Sequence, residues 1–187
     1  MSSGNILKVI TAALREAQIP YMIVGSFASN LYGSARGTQD IDVVVSASPE
    51  AIAHFLDSLP RGEYYFDVAT ALEACRRRDM FNILDMGSGW KVDVIFKKIS
   101  AYGQQAFQRR VAAEIEQIPL YAATAEDVII SKLEWAKMGA SLRQIEDVSG
   151  ILKERHELLD FIYLDGWIKQ LGLAEQWNAA RKAAGLP

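Results

Sequence analysis

The chain has 187 residues, half of them apolar, with 20 Lys and Arg against 23 Asp and Glu and a formal net charge of −3. This length and composition predict one domain, or a domain with a helical appendage, that has enough apolar residues for a true core. The slightly acidic balance argues against nucleic-acid binding through overall charge, although it leaves room for a local basic patch.

A single cysteine, Cys75, excludes an intrachain disulfide and favours a reducing compartment. The N-terminal segment lacks the basic stretch of a signal peptide, and no apolar run is long enough to span a bilayer. We therefore expect a cytoplasmic protein that does not interact with membranes.

Apolar periodicity divides the first two thirds of the chain into alternating helices and strands. The predicted elements are a helix over 5–18, a strand over 21–24, a short helix over 26–32, a strand over 40–45, a helix over 49–59, strands over 80–84 and 90–96, a helix over 102–110 and a strand over 111–122. We expect Ser48 to cap the third helix and Pro119 to break the last strand. The segment 60–79 contains a short helix that ends near Arg76–Arg78.

From Thr124 onward the sequence has almost entirely helical periodicity. Residues 124–127 match a capping box with Asp127 at its last position, and Gly139 and Gly166 are the expected helix breaks. The pattern predicts an α/β core over 1–123, followed by a helical subdomain over 124–187 that packs on it.

Two aspartates alternate with apolar residues in the strand over 40–45. Side chains two positions apart in a strand lie on one face, about 7 Å from each other, so Asp40 and Asp42 project together. Two carboxylates on one face repel each other and suit a site with a divalent cation such as Mg²⁺ between them. A solvated sheet edge would show the same pattern.

A third aspartate, Asp93, lies in the middle of the alternating strand over 90–96. Asp93 shares one face with Lys91, while Val92 and Val94 share the other. A carboxylate in an apolar strand is costly without a partner. Asp93 therefore either completes a three-carboxylate metal site or pairs with Lys91 on an exposed sheet face.

The turn after the first strand has features of a phosphate-binding loop. Gly25 lets the backbone approach a ligand closely, and the helix that follows offers free N–H groups. Ser26 adds a hydroxyl, Arg36 could meet phosphate oxygens, and Thr38 could position the loop. A plain helix cap and an exposed loop arginine are the alternatives.

Together these residues resemble the nucleotidyltransferase superfamily related to DNA polymerase β, and most closely its stand-alone bacterial members, including toxin-type ones from abortive-infection and toxin–antitoxin systems. The matching pattern is Gly25-Ser26, Arg36, Thr38, Asp40-Ile41-Asp42 and the distant Asp93. The resemblance is specific over 21–45 and looser through 90–96 and 124–152. It implies the nucleotidyltransferase fold, with a mixed β-sheet flanked by helices and followed by a C-terminal helical subdomain.

The resemblance also implies a chemistry: transfer of a nucleoside monophosphate from an NTP such as ATP to a hydroxyl acceptor, with release of pyrophosphate. Asp40, Asp42 and Asp93 would bind two Mg²⁺ ions, for which Mn²⁺ could substitute, and Asp93 could accept the acceptor's proton. Gly25 and Ser26 would hold the β- and γ-phosphates.

A helical residue, Lys132, is a further candidate for phosphate binding. It follows two isoleucines on a largely apolar helix, and a lysine whose amine reaches solvent is the alternative. Arg143 and Asp147, spaced i, i+4, could pair with each other, and the resemblance suggests that they border the nucleotide.

Several alternatives stay open on the sequence alone. The chain could be a non-catalytic nucleotide- or partner-binding module of the same fold, or a metal-dependent phosphodiesterase. The acceptor could be RNA, including tRNA ends, a protein hydroxyl or a small molecule. Arg76–Arg78 could steer an acidic acceptor or form a solvated helix end. A toxin role with an antitoxin-like partner follows from family analogy alone.

Overall fold

Seven strands and nine α-helices are present in the residues that the computed structural model describes, which are 3–33, 37–139 and 141–186. In chain order they are α1 (Ser3–Glu16), β1 (Tyr21–Val24), α2 (Gly25–Asn30), β2 (Asp40–Val45), α3 (Pro49–Asp57), β3 (Tyr64–Tyr65), α4 (Val68–Arg77), β4 (Met80–Asp85), β5 (Lys91–Phe96), α5 (Ala101–Gln108), β6 (Val111–Ile115), β7 (Ile118–Ala122), α6 (Ala125–Gly139), α7 (Leu142–Arg155), α8 (Phe161–Leu171) and α9 (Ala174–Ala184). A 3-10 turn, His156–Leu158, lies between α7 and α8. None of these described helices is both long and apolar enough to cross a bilayer.

Contacts between residues divide the described chain into two compact units. The sheet unit comprises the described residues of 1–24 and 37–122, with all seven strands and α1, α3, α4 and α5. The helical unit comprises those of 25–36 and 123–187, with α2 and α6 to α9. The division predicted from the sequence places residues 25–33 with the sheet, whereas contacts group these described residues with the helical unit.

The sheet has the strand order β3-β4-β5-β2-β1-β7-β6. The pairs β2–β5 and β1–β7 are parallel, and the other neighbours are antiparallel. β2 and β5 are therefore central neighbours, although α3, β3, α4 and β4 separate them in the chain. The predicted fold class, a mixed sheet flanked by helices and followed by further helices, is confirmed.

One face of the sheet forms the core of the sheet unit. Alternate side chains of β2 and β5 are buried on this face, namely Ile41, Val43, Val45, Val92, Val94 and Phe96. α1 packs against β7, α4 packs against β4, and α3 contacts both helices. The intervening side chains, which include the three predicted site aspartates, point to the opposite face.

Local sequence signals located several element ends correctly. β1 and β2 have the predicted bounds, and α4 ends at Arg77, within the run of arginines. The Ser48 hydroxyl accepts a hydrogen bond from the Ala51 N–H at 3.3 Å, and Pro49 begins α3, as predicted. These features depend on residues a few positions apart, so the sequence is sufficient to predict them.

The strand break predicted at Pro119 is wrong, because the chain reverses two residues earlier. Glu116 and Gln117 form a two-residue turn with φ of 50° and 65°, and β6 and β7 pair on either side of it. Asn and Gly usually supply two successive positive φ values, so a Glu-Gln pair carries no turn signal. Pro119 lies within β7, opposite Glu114.

The helix break predicted at Gly166 is also wrong. Gly166 is an exposed residue inside α8, which ends instead at Gly172 with a φ of 64°. The preceding boundary lies at Asp160, whose side chain caps α8 by accepting from the Tyr163 N–H. An exposed glycine costs a helix only about 1 kcal/mol relative to alanine, so packing of the rest of α8 overrides it. Gly139 does end α6, as predicted.

The start of α6 ties together two helices of the helical unit. In the predicted capping box, the Asp127 N–H donates to Thr124 Oγ1 at 3.3 Å, and the Thr124 hydroxyl donates to one Asp127 carboxylate oxygen at 2.9 Å. The Tyr163 hydroxyl of α8 donates to the other oxygen at 2.7 Å. The cap that the sequence predicted is therefore also a contact between α6 and α8.

Gly33→Ala is expected to destabilise the helical unit by about 1–3 kcal/mol. Gly33 has a φ of 103°, and a Cβ added there would lie only 2.6 Å from Glu154 Cβ on α7. Urea denaturation measures the change. Gly166→Ala is the control, because a Cβ there meets nothing within 4 Å, and we expect it to stabilise by up to about 1 kcal/mol. Equal stability of Gly33→Ala and the wild type would contradict this close approach.

Candidate active site

The register of β2 and β5 places two of the predicted aspartates side by side. Asp42 and Asp93 are cross-strand partners in this parallel pair, and Asp40 is the partner of Lys91. Because side chains alternate along each strand, all four project from the same face of the sheet. The sheet unit thus brings together the three carboxylates that the sequence predicted, with a lysine among them.

Asp93 is the most buried of the three carboxylates. It is 8% exposed, and its Oδ1 is buried without a hydrogen-bond partner in the structure. A carboxylate oxygen removed from water with no partner is costly. Such an atom in a folded protein indicates either a ligand that binds there or a functional role.

Lys91 lies between two of the carboxylates. Its Nζ is 3.0 Å from Asp93 Oδ2 and 3.5 Å from Asp40 Oδ1. The hydrogen bond to Asp93 raises the pKa of Lys91 against the opposing effect of burial, and the charges of Asp93 and Asp40 raise it further. The amine is therefore a cation at neutral pH, held by two of the carboxylates that were predicted to bind metal.

The carboxylates suit Mg²⁺ in type and register. Carboxylate oxygens are the ligands that Mg²⁺ prefers, and Asp93 has one buried oxygen that no protein group satisfies. However, no three Asp, Glu, His or Cys side chains already converge as a metal cluster within the described ranges. The residues fit the ion, but their side chains would have to close around it, and the Lys91 amine is in the way.

The predicted phosphate turn belongs to the helical unit. Gly25 directly follows β1 in the chain and has a φ of 64°, which favours glycine. Its carbonyl accepts a hydrogen bond from the Ser29 hydroxyl at 2.8 Å, one turn along α2. Ser26 is half-buried. Arg36, the arginine of the predicted loop, lies outside the described residues.

Thr38, in the sheet unit, has a local role at the start of β2. Its Oγ1 accepts a hydrogen bond from the Asp40 N–H at 3.1 Å. This bond fixes the backbone of the first site aspartate, so Thr38 positions Asp40 whatever else it binds.

Lys132 lies in the helical unit, buried between α6 and α7. Its Nζ donates to Asp147 Oδ2 at 2.6 Å and to Gln144 Oε1 at 3.3 Å. The spacing of Arg143 and Asp147 allowed a pair on the same helix, and the structure shows that Asp147 also binds a lysine of the neighbouring helix. This contact was missed because nothing local relates residues on different helices.

The three consecutive arginines lie away from the aspartates within the sheet unit. Arg76 and Arg77 are exposed and pair with Glu73, and Arg78 donates to the Lys97 carbonyl at 3.4 Å. Lys97 follows the far end of β5, about 13 Å along the strand from Asp93. These arginines are therefore remote from the carboxylate face.

Solved structures of similar fold include nucleotide-transferring enzymes. ANT(2″)-Ia, an antibiotic-resistance factor, matches in a solution structure and in a crystal structure with adenylyl-2″-tobramycin, with TM-scores of 0.61 and 0.60, identities of 13% and 14%, and coverage of 93% of this chain and 95% and 97% of those chains. The lincosamide antibiotic adenylyltransferase LnuA, with lincomycin bound, has a TM-score of 0.54 at 8% identity, over 81% of this chain and 96% of LnuA.

An antigenic nucleotidyltransferase-like protein from Paracoccidioides brasiliensis has a TM-score of 0.53 at 16% identity, over 96% of this chain and 94% of that one. No protein-family model matches the sequence, and a search of curated proteins finds no match. At these identities the likeness concerns the fold. The chain shares the fold of these nucleotidyltransferase structures, and this is the fold that the resemblance in residues 21–45 implies.

Proposed function

We propose that this protein is a metal-dependent nucleotidyltransferase, which moves a nucleoside monophosphate from an NTP to a hydroxyl acceptor and releases pyrophosphate. One observation carries the proposal. Asp42 and Asp93 are cross-strand partners, with Asp40 on the same face, in a chain that has the nucleotidyltransferase fold. Three carboxylates on one sheet face suit two Mg²⁺ ions, with Mn²⁺ as a substitute.

Each site residue has a proposed role. Asp40, Asp42 and Asp93 would hold the metal ions, and Asp93 would also orient the acceptor hydroxyl and take its proton. When bound, the ions supply charge neutralisation for the triphosphate and lower the pKa of the acceptor hydroxyl. Rigid neighbouring strands hold the carboxylates, so little reorganisation of the backbone is needed.

The family resemblance supports nucleotide-binding roles for five further residues: Gly25, Ser26, Arg36, Thr38 and Lys132. The positive φ of Gly25 supports a close backbone approach to phosphate. Thr38 supports the loop through its bond to the Asp40 N–H. Lys132 could contact phosphate only if its amine left Asp147. Its bond to Asp147 also joins α6 to α7, so we propose a role for Lys132 in the packing of these two helices as well.

For the acceptor we favour a small hydroxylated molecule, and for the donor ATP. Two of the similar structures are named for action on antibiotics, and one contains an adenylylated antibiotic. RNA and protein hydroxyls are the competing acceptors. A toxin role and an antitoxin-like partner stay predictions from the resemblance alone.

The test is an acceptor panel. Purified protein is incubated with each labelled NTP and Mg²⁺ or Mn²⁺, together with tobramycin, lincomycin, total RNA or cell extract, and pyrophosphate and labelled product are measured. We expect label on one acceptor class with stoichiometric pyrophosphate, lost in Asp42→Asn. Asp57→Asn is the matched control, because that carboxylate is exposed on α3 and pairs only loosely with Arg61. Orthophosphate or cut nucleic acid in place of pyrophosphate would contradict transfer and indicate hydrolysis.

A non-catalytic binding module is the second candidate, favoured by the Lys91 amine between Asp40 and Asp93. A cation supplied by the protein satisfies carboxylates without any metal. This candidate predicts that NTP binds equally to the wild type and to an Asp40→Asn/Asp42→Asn double variant, with no turnover in either. Pyrophosphate release by the wild type alone would exclude it.

A further inference from the structure

Lys91 is placed on the carboxylate face by strand geometry. It is the cross-strand partner of Asp40 and lies two residues before Asp93 on β5, so it shares a face with both. Its amine reaches 3.0 Å from Asp93 Oδ2 and 3.5 Å from Asp40 Oδ1. The two contacts come from different strands, so the amine bridges β2 and β5.

The amine lies between two of the carboxylates that would hold a metal ion. Mg²⁺ takes oxygen ligands at about 2.0–2.1 Å, so an ion held by Asp93 and Asp40 would compete with the amine for these carboxylates. An ammonium group carries one positive charge, whereas Mg²⁺ carries two. The carboxylates that attract the Lys91 amine should therefore attract the divalent ion more strongly.

Lys91 is also free to leave. Its side chain is 38% exposed, so the amine can turn into water on its flexible stem without burying a charge. Lys132 is a useful contrast in the helical unit, since its side chain is only 4% exposed and its amine is enclosed by Asp147 and Gln144. Of these two paired lysines, Lys91 has the accessibility that an exchangeable counter-ion needs.

We propose that Lys91 is a built-in counter-ion, whose amine competes with divalent metal for Asp93 and Asp40 and so weakens metal binding by the nucleotide-free protein. This inference rests on the proposed function, because it takes the three aspartates as metal ligands. Lys91 holds Asp40 and Asp93 together when no metal is present, and it turns towards solvent when the metal binds.

Mn²⁺ titration of the nucleotide-free protein, with free Mn²⁺ followed by its EPR signal, tests this directly. Lys91→Met should bind Mn²⁺ about tenfold more tightly than the wild type, since one positive charge a few ångströms from the ion is removed. Lys91→Arg keeps the charge and should remain near the wild type. Lys98→Met is the matched control, because Lys98 is exposed beyond the other end of β5, and its affinity should change less than about twofold.

The outcomes separate this inference from the proposed function. Equal or weaker Mn²⁺ binding by Lys91→Met, with binding lost in Asp93→Asn, overturns the role of Lys91 and leaves the metal site standing. No Mn²⁺ binding by the wild type or by Lys91→Met overturns both. Thermal melting checks that each variant folds, and Lys91→Gln, which also lacks the charge, replaces Lys91→Met if the methionine variant is unstable.

Discussion

Asp93→Asn is expected to lower nucleotidyl transfer roughly 10²–10³-fold while changing the free energy of unfolding by less than about 1 kcal/mol. Asparagine has the shape of aspartate without its charge, so the backbone of β5 and its pairing with β2 should persist. One Asp93 oxygen has no partner to lose, and the Lys91 amine that loses an ion pair is half-exposed. The measurements are steady-state pyrophosphate release and urea denaturation.

Asp85 supplies the opposite control on the neighbouring strand β4. It is also buried, but its Oδ1 accepts hydrogen bonds from the Gly87 and Ser88 N–H groups at 2.9 and 3.2 Å and so closes the β4–β5 turn. Asp85→Ala should lose about 1–3 kcal/mol of stability and keep its activity wherever it is folded. Asp93→Asn, in contrast, should keep its stability and lose its activity.

Asp85→Ala should also change the acid sensitivity of the fold. Burial alone would raise the pKa of Asp85, but hydrogen bonds from Ser88 and the Gly87 N–H outweigh it and lower the pKa. A carboxylate whose pKa is lowered in the folded state stabilises the fold above about pH 4. This stabilisation is lost as the pH falls through the lowered pKa. Asp85→Ala should therefore reduce the loss of stability as the pH is lowered.

Unfolding of Asp93→Asn with retained activity in the folded fraction would show that Asp93 is structural and not catalytic.

Asp147→Ala is expected to cost the helical unit about 3–5 kcal/mol. The side chains of Lys132 and Asp147 are 4% and 8% exposed, with 2.6 Å between nitrogen and oxygen. Removing the carboxylate takes away the charged partner of a buried ammonium, and the contact of that ammonium with the Gln144 side chain, at 3.3 Å, is long and uncharged. Urea denaturation of both single variants and the double variant measures the coupling between the two residues.

Replacing both partners should restore most of this loss. Lys132→Met/Asp147→Leu puts apolar side chains of similar volume in place of the pair, an exchange that is often neutral or stabilising in other proteins. Asp57→Ala removes an exposed pair with Arg61 and should change stability by no more than about 1 kcal/mol. A cost for Asp147→Ala as small as that of Asp57→Ala would mean that the buried pair is in contact with water.

The double variant also tests the nucleotide-binding role of Lys132. If the lysine contacts phosphate, a stable Lys132→Met/Asp147→Leu protein should show a raised KM for NTP, whereas an unchanged KM and kcat would assign Lys132 to the packing of α6 against α7. Stability and kinetics thus separate two roles that the sequence left open.

Residues 40–45 illustrate what could be predicted without coordinates. The alternation of side chains along a strand is a property of consecutive residues, so Asp40 and Asp42 could be placed on one face and the bounds of β2 assigned. The same holds for the Ser48 cap and for the Thr124–Asp127 capping box. The turn at Glu116–Gln117 and the continuous helix through Gly166 were missed because packing there overrides weak or absent local signals.

Residues a few positions apart were enough to predict the strand over 40–45 and to place Asp40 and Asp42 on one of its faces. Contacts between distant segments were needed to show that β5 lies beside β2 in the register that pairs Asp42 with Asp93, that Lys91 bridges Asp40 and Asp93, and that Asp147 binds Lys132. Each of these depends on contacts between segments distant in the chain, and strand order and helix packing are set by the burial of whole faces.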